Sequence, residues 1–186
     1  MNRAVFLDRD GTLNADSRDY IKNLDEFRLF PFTIKALKIL SDLEFRLVII
    51  TNQACIAKGL TTVEKVQEIH EFITKEFRRN GINLDGIFYC PHHPDISRCE
   101  CRKPKIANVL KAANAYEIDL SQSWFIGDSK KDVEAGVNAG CRTILVKTGV
   151  RETADAENWD PSPEYITENL LTAAQLIKRE KKGKSV

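Results

Sequence analysis

Asp8 and Asp10 stand two residues apart in the segment Asp8-Arg9-Asp10-Gly11, directly after the apolar run Ala4-Val5-Phe6-Leu7. On an extended segment, residues two apart project to the same side. Two close carboxylates repel, and one of them resists ionising unless a cation lies between them. A hard divalent cation resolves that conflict, and Asp128 offers a third oxygen ligand from a distant part of the chain. Magnesium takes a few carboxylates, several waters and a phosphate oxygen, so this set of acids points to phosphoryl chemistry. An aspartate of ordinary pKa is already ionised at neutral pH and needs no activating base, which makes Asp8 the candidate nucleophile. Asp10 is the candidate acid and base, giving a proton to the leaving alkoxide and taking one from the water that follows. Lys103 and the Thr51 hydroxyl are candidates for holding the charge that develops on the other phosphoryl oxygens. Gly11 permits a close backbone approach. Alone, the tetrapeptide also reads as a polar turn; Thr51, Lys103 and Asp128 shift the balance to chemistry.

A second group of residues asks for a metal. Three of the five cysteines, Cys90, Cys99 and Cys101, cluster with His92 and His93 between them. Cys90-x-His92 and Cys99-x-Cys101 supply three thiolates and one imidazole, the donor set of a closed tetrahedral structural zinc. His93 is the alternative imidazole, and the spacing favours His92. Four protein ligands leave no open position, so a catalytic zinc is not expected. Such an ion would fix Arg102 and Lys103, which follow Cys101 directly.

These residues need a scaffold that brings them together. Ala4–Leu7, Arg46–Ile50, Gly86–Tyr89, Trp124–Ile126 and Cys141–Val146 are short apolar runs that read as buried strands. Between them, helices are predicted over 32–43, from Thr62 to Asn80-Gly81, over Pro104–Tyr116 with Ile106, Val109, Leu110 and Ala113 inward, and over Lys131–Ala139 before Gly140. A last helix runs from about Glu168 to Lys181. Alternating strands and helices with continuously apolar strands predict an α/β fold, a parallel sheet covered on both faces. In such sheets ligands bind beyond the carboxyl ends of the strands. Asp8, Asp10, Thr51 and Asp128 all fall there, and Lys103 precedes a crossover helix.

The chain of 186 residues is 42% hydrophobic and 30% charged, which suits one domain spanning 1–186. A net charge of +1 gives no field for nucleic acid or an anionic membrane. No apolar run reaches the roughly 18 residues of a membrane span, and no signal-like segment precedes Asp8, so a cytoplasmic protein is expected. Cysteines there are not expected to form a disulfide framework. Other residues read as structural: His70 as a surface or boundary position, Trp124 and Cys141 as core, Cys55 as filler near Thr51. Trp159 reads either way. The basic run Lys178–Lys184 reads as a solvated helix end.

Taken together the motifs carry a resemblance. Asp8-Arg9-Asp10-Gly11-Thr12-Leu13 resembles the DxDGT motif of the haloacid dehalogenase (HAD) superfamily. Thr51-Asn52-Gln53 is similar to its second motif, Lys103 to its third, and Gly127-Asp128 with Asp132 to its fourth, over about residues 3–150. The resemblance implies a three-layer Rossmann-like fold with a central parallel sheet, an aspartyl-phosphate intermediate and catalytic Mg2+. It makes Asp8 the nucleophile, Asp10 the acid/base, and Thr51 and Lys103 the phosphoryl-stabilising groups. The Mg2+ ligands it implies are Asp8, Asp128 and a main-chain carbonyl of Arg9 or Asp10, given to Asp10 in this group. The short stretch between the first two motifs leaves no room for a large cap domain.

More narrowly, the chain is similar to phosphatases of a heptose bisphosphate. Thr51-Asn52-Gln53 followed by Ile56-Ala57-Lys58-Gly59, Cys90-Pro91-His92-His93-Pro94 and Cys99-Glu100-Cys101-Arg102-Lys103-Pro104 carry that likeness. It also supports structural Zn2+ on Cys90, His92, Cys99 and Cys101. Substrate contacts are implied over Asp16 to Asp19 or Tyr20, over Thr51 to Ala54 with Asn52 and Gln53 among them, and at Arg102 and Lys103, for a small sugar phosphate destined for surface polysaccharide and a protein acting as a monomer. Cys55 stands where that family has glycine, and Ser129 where some members have lysine. Histidinol-phosphate phosphatases share DRDGT, TNQ and the zinc loop and are the nearest rival. Phospho-receiver signalling domains also place acids, Thr and Lys at strand ends, but phosphorylate an Asp on a different strand from their acidic pair.

Overall fold

The apolar runs become strands of one parallel sheet, in a computed structural model that describes residues 1–150 and 153–183. β1 (Ala4–Leu7), β2 (Arg46–Asn52), β3 (Gly86–Cys90), β4 (Trp124–Gly127), β5 (Arg142–Val146) and β6 (Tyr165–Thr167) lie in the order β3-β2-β1-β4-β5-β6. The chain builds outward from β1 to β3, then returns to the other side of β1 for β4. That reversal of direction opens a crevice at the carboxyl end of the central strand.

Parallel neighbours need crossovers, and the amphipathic segments supply them as α1 (Thr33–Asp42), α2 (Val63–Arg79), α3 (Ala107–Tyr116), α4 (Lys130–Asn138) and α5 (Leu170–Gly183). Strand side chains alternate between faces. Val5 and Leu7 of β1 join Leu37, Leu40, Ile69, Ile73, Phe77 and Leu170 under α1, α2 and α5. Ala4 and Phe6 join Val109, Ala112 and Ala135 under α3 and α4. The sheet is thus the middle of three layers. Thr62 caps α2 as expected, its side chain accepting from the Lys65 amide at 3.3 Å. Residues 8–32, between β1 and α1, form turns and isolated bridges, so no large cap domain covers the crevice.

Several local expectations need correcting. α3 starts at Ala107 rather than Pro104, and Leu110 is 42% exposed while Asn108 is buried. The buried stripe is Val109, Ala112 and Ala113, whose small side chains let the helix lie close to the sheet and leave Leu110 at its border. His70, expected at the surface or its boundary, belongs to the buried set of α2 with 9% exposure. β6 has only three half-buried residues at the sheet edge, too few for an alternation to be read. Lys184 falls outside the described residues.

Candidate active site

Asp8 follows the last residue of β1, and its amide donates to the Ile126 carbonyl of β4 at 2.9 Å. The turn that carries it closes on itself, with the Arg9 carbonyl accepting from the Leu13 amide at 2.8 Å and Gly11 taking φ +83°. Asp128 follows β4, and Asp132 sits in the first turn of α4. Carboxylate oxygens of Asp8, Asp128 and Asp132 all lie within 4.8 Å of one another. Three acids at such range repel, and burial raises the cost of ionising them. Burial pushes Asp8 up to about 7 despite the opposing pull of Lys103. Burial, then Asp132 and Asp8, push Asp128 up to about 9. A divalent cation held by oxygen donors reverses that cost, so the donor set fits Mg2+.

Glycine shapes this acid cluster. A Cβ at Gly127 would fall on the Asp132 carboxyl group, and one at Gly149 or Gly11 would fall on that of Asp128. Asp132 also closes α4: its Oδ2 accepts from the Ser129 amide at 3.1 Å and hydroxyl at 2.6 Å, a capping box. Its Oδ1 lies 2.6 Å from Lys103 Nζ. Among the acids here, Asp132 enters the sequence analysis only as part of the fourth motif. The signal was present, since an acid at the third position of α4 is both a capping residue and four residues from Asp128.

Lys103 is almost fully buried, with Nζ 2.8 Å from Asp8 Oδ1 and donating to the Ile50 carbonyl at 2.7 Å. Burial would lower its pKa, but Asp132 and Asp8 outweigh burial and raise it, so the lysine stays charged. Asn52 pins its main chain from both sides, accepting from the Lys103 amide at 3.0 Å and donating to its carbonyl at 3.2 Å. The Thr51 hydroxyl accepts from Gln53 Nε2 at 2.9 Å.

Asp10 takes a different position from Asp8. Its Oδ1 accepts from Arg9 Nε at 3.0 Å and Asn14 at 2.9 Å, and its Oδ2 from Arg9 Nη2 at 2.7 Å and Gln53 at 3.0 Å. Burial would raise its pKa, yet the Arg9 guanidinium and these bonds hold it below the usual carboxylate value.

Asp8, Asp10, Thr51, Asn52, Lys103, Asp128 and Asp132 open onto one cleft of about 470 Å³, with Asp16, Tyr20 and Arg102 on its wall. Gln53 is buried behind that wall, bonding to Asp10, Thr51 and Arg9 instead of facing the cleft. The Asp19 side chain is exposed and ion-pairs with Lys22 at 3.8 Å, off the cleft, while Ser17 and Arg18 line it. Ser17 and Arg18 fall within the stretch from Asp16 to Asp19 that the resemblance gives to substrate contact.

The cysteine loop leaves β3 next to this cleft. Cys90 Sγ lies 3.6 Å from both Cys99 Sγ and His92 Nδ1, and Cys101 Sγ lies 3.4 Å from His92 Nδ1. With metal–sulfur bonds of about 2.3 Å, a tetrahedral ion has donor–donor edges of this length, so the four residues fit Zn2+. Burial and the adjacent Cys101 push the Cys90 thiol up to about 12, the expected cost of crowding thiolates without a cation. His93 points elsewhere, 3.6 Å from the Asp95 carboxylate. The loop is tied to the cleft by the Gln53 amide donating to the Cys90 carbonyl at 2.7 Å and by Arg102 donating to the His92 carbonyl at 3.1 Å.

A HAD-hydrolase-like family model matches residues 100–173. The chain is 36% identical to D-glycero-beta-D-manno-heptose-1,7-bisphosphate 7-phosphatase of Haemophilus influenzae, over 98% of this chain and 100% of that one. It is 37% identical to the enzyme of the same name from Escherichia coli strain K12, over 96% and 95% of the two chains. The crystal structure of D,D-heptose 1,7-bisphosphate phosphatase from B. bronchiseptica, complexed with magnesium and phosphate, superposes with a TM-score of 0.87. That match has 33% identity over 96% of this chain and 99% of that one.

Proposed function

The chain belongs to the HAD-like hydrolases, in the family of the heptose bisphosphate phosphatases, and from that premise we propose that it removes the 7-phosphate of D-glycero-β-D-manno-heptose 1,7-bisphosphate. The observation that carries the chemistry is Asp8 at the mouth of the cleft, with Lys103 at 2.8 Å and two further acids within reach of one cation. Asp8, Asp128, Asp132 and the main chain at Asp10 would hold Mg2+. Bound there, the ion screens the phosphoryl oxygens from the incoming carboxylate and stabilises their developing charge.

The rest of the mechanism belongs to the protein's own side chains. Asp8 attacks phosphorus in line, forming the aspartyl-phosphate as the bond to the sugar oxygen breaks. Asp10, a carboxylate at rest, would take up the proton of the bound phosphate monoanion and pass it to that oxygen. A water then attacks phosphorus, Asp10 takes its proton, and inorganic phosphate leaves as Asp8 is restored. Lys103 and Thr51 hold the equatorial oxygens during both transfers. Asp16, Tyr20, Asn52 and Arg102 on the wall are positioned to contact the sugar phosphate, while Gln53 acts from behind. Zinc on Cys90, His92, Cys99 and Cys101 would be structural, since the four donors close its coordination. No described helix is long and apolar enough to cross a membrane, and thiols gathered for a metal suit a cytoplasmic enzyme.

The test is phosphate release with Mg2+ from the heptose 1,7-bisphosphate and from histidinol phosphate side by side. Preference for the heptose supports the assignment; preference for histidinol phosphate overturns the substrate and keeps the chemistry.

A further inference from the structure

Arg9 lies between the two acids of the first loop and is fully buried. A guanidinium carries five donors and no acceptor, so each of its N–H groups needs an acceptor in the interior. Nε and Nη2 meet the two oxygens of Asp10, and Nη2 also reaches Gln53 Oε1 at 3.0 Å. Nη1 faces His70 Nε2 at 3.4 Å. Because Arg9 only donates, that contact makes His70 Nε2 an acceptor and leaves the ring proton on Nδ1. His70 itself is fixed from α2, its ring edge-on to Tyr89 at 5.3 Å between centroids. It is not among the residues lining the cleft.

We propose that His70 is a positioning residue for proton transfer by Asp10: a neutral acceptor behind Arg9 that fixes the guanidinium clamping the Asp10 carboxylate. The inference rests on the acid/base role given to Asp10 above. Burial, and then Arg9, hold the imidazole down at about 3, in keeping with a neutral ring. Without that acceptor, Nη1 of a buried cation is left unmatched, which costs more than the bond itself is worth. The guanidinium then has reason to shift, and Asp10 shifts with it. Asn14 and Gln53 still hold Asp10, so the loss is partial.

A general acid matters most when the leaving group is a poor one. An alkoxide leaving from a sugar phosphate needs the proton, whereas nitrophenolate leaving from p-nitrophenyl phosphate hardly does. The test compares kcat/KM for both substrates, with Mg2+, in the wild type and in His70→Leu, His70→Gln and Asp10→Asn. His70→Leu is expected to lose about tenfold on the sugar phosphate and less than about threefold on the aryl phosphate. His70→Gln, whose amide oxygen accepts a hydrogen bond, is expected to recover most of that loss. Equal losses on both substrates, or no loss, would overturn the proposal. Asp10→Asn reports separately on the reading beneath it: a symmetric loss there refutes the acid role itself. Should His70→Leu fail to fold, the ring nitrogens of His70 in the wild-type protein decide by NMR. The proposal requires a neutral ring protonated on Nδ1; a charged ring, or a proton on Nε2, overturns it.

Discussion

Burial acts on Asp8 and Asp10 alike, but only Asp10 meets enough donors to offset it, with a guanidinium and two amides on its oxygens. Asp8 shares one lysine with Asp132 and depends on a cation for the rest. Replacing it by asparagine removes the proposed nucleophile while leaving the shape of the site, so Asp8→Asn is expected to reduce phosphate release to background, read in a steady-state assay. His70 gives a stability prediction of definite sign. Its folded-state value of about 3 lies below the ordinary 6.5, so the unfolded chain takes up a proton first on acidification. Stability therefore rises with pH between about 3 and 6.5, by up to roughly 1.4 kcal/mol per unit from this group. Urea midpoints for wild type and His70→Gln at pH 7 and pH 5 check it: the wild type is expected to lose more on acidification. The acids were legible in the sequence because spacing and chemistry agreed. His70 was not, since its role depends on Arg9, 61 residues earlier, turning inward to meet it.

The elements fix these side chains through their ends. β1 delivers Asp8, β2 delivers Thr51 and Asn52, and β4 delivers Asp128 to one edge, while the capping box of α4 aims Asp132 at Lys103. Gly127 joins the last two because any Cβ there would displace the Asp132 carboxyl. Gly127→Ala is expected to lower kcat about 100-fold, the scale of a misplacement near 1 Å, in the phosphate-release assay. The packing makes a contrasting prediction for two leucines. Leu37→Ala, fully buried on the inner face of α1, is expected to cost about 3 kcal/mol in urea unfolding, and Leu110→Ala on α3 under about 1 kcal/mol. Strands and helices could be read from apolar runs and caps. The inward stripe of α3 was legible at Val109 and Ala113 but not at Ala112, because an alanine marks it less clearly than the leucine at its border.

At the scale of the molecule, the reversal of strand order at β1 gathers loops from across the sequence into one cleft, and the cysteine loop braces its far side. Lys103 lies two residues past Cys101, so a metal held by the cysteine loop would also fix the main chain that carries the lysine. Cys101→Ser is expected to lose bound zinc, measured by metal analysis, and to lower both the melting temperature and phosphatase activity. Retained activity without zinc would separate the loop from the cleft. The gathering of acids, hydroxyl and lysine at one sheet edge was legible, because parallel strands send their carboxyl ends the same way. Residues 16–20 were legible as part of the wall only as a stretch: Ser17 and Arg18 face the cleft and Asp19 does not, and a run of turns has no periodicity to sort them. A covalent phosphatase acting on a heptose bisphosphate passes through a phosphorylated enzyme, which rapid quenching with that substrate and Mg2+ can trap. Mass analysis of the quenched protein is expected to find a phosphoryl group on Asp8, formed as heptose 1-phosphate appears. A phosphoryl group on another residue, or turnover with none on the protein, would contradict it.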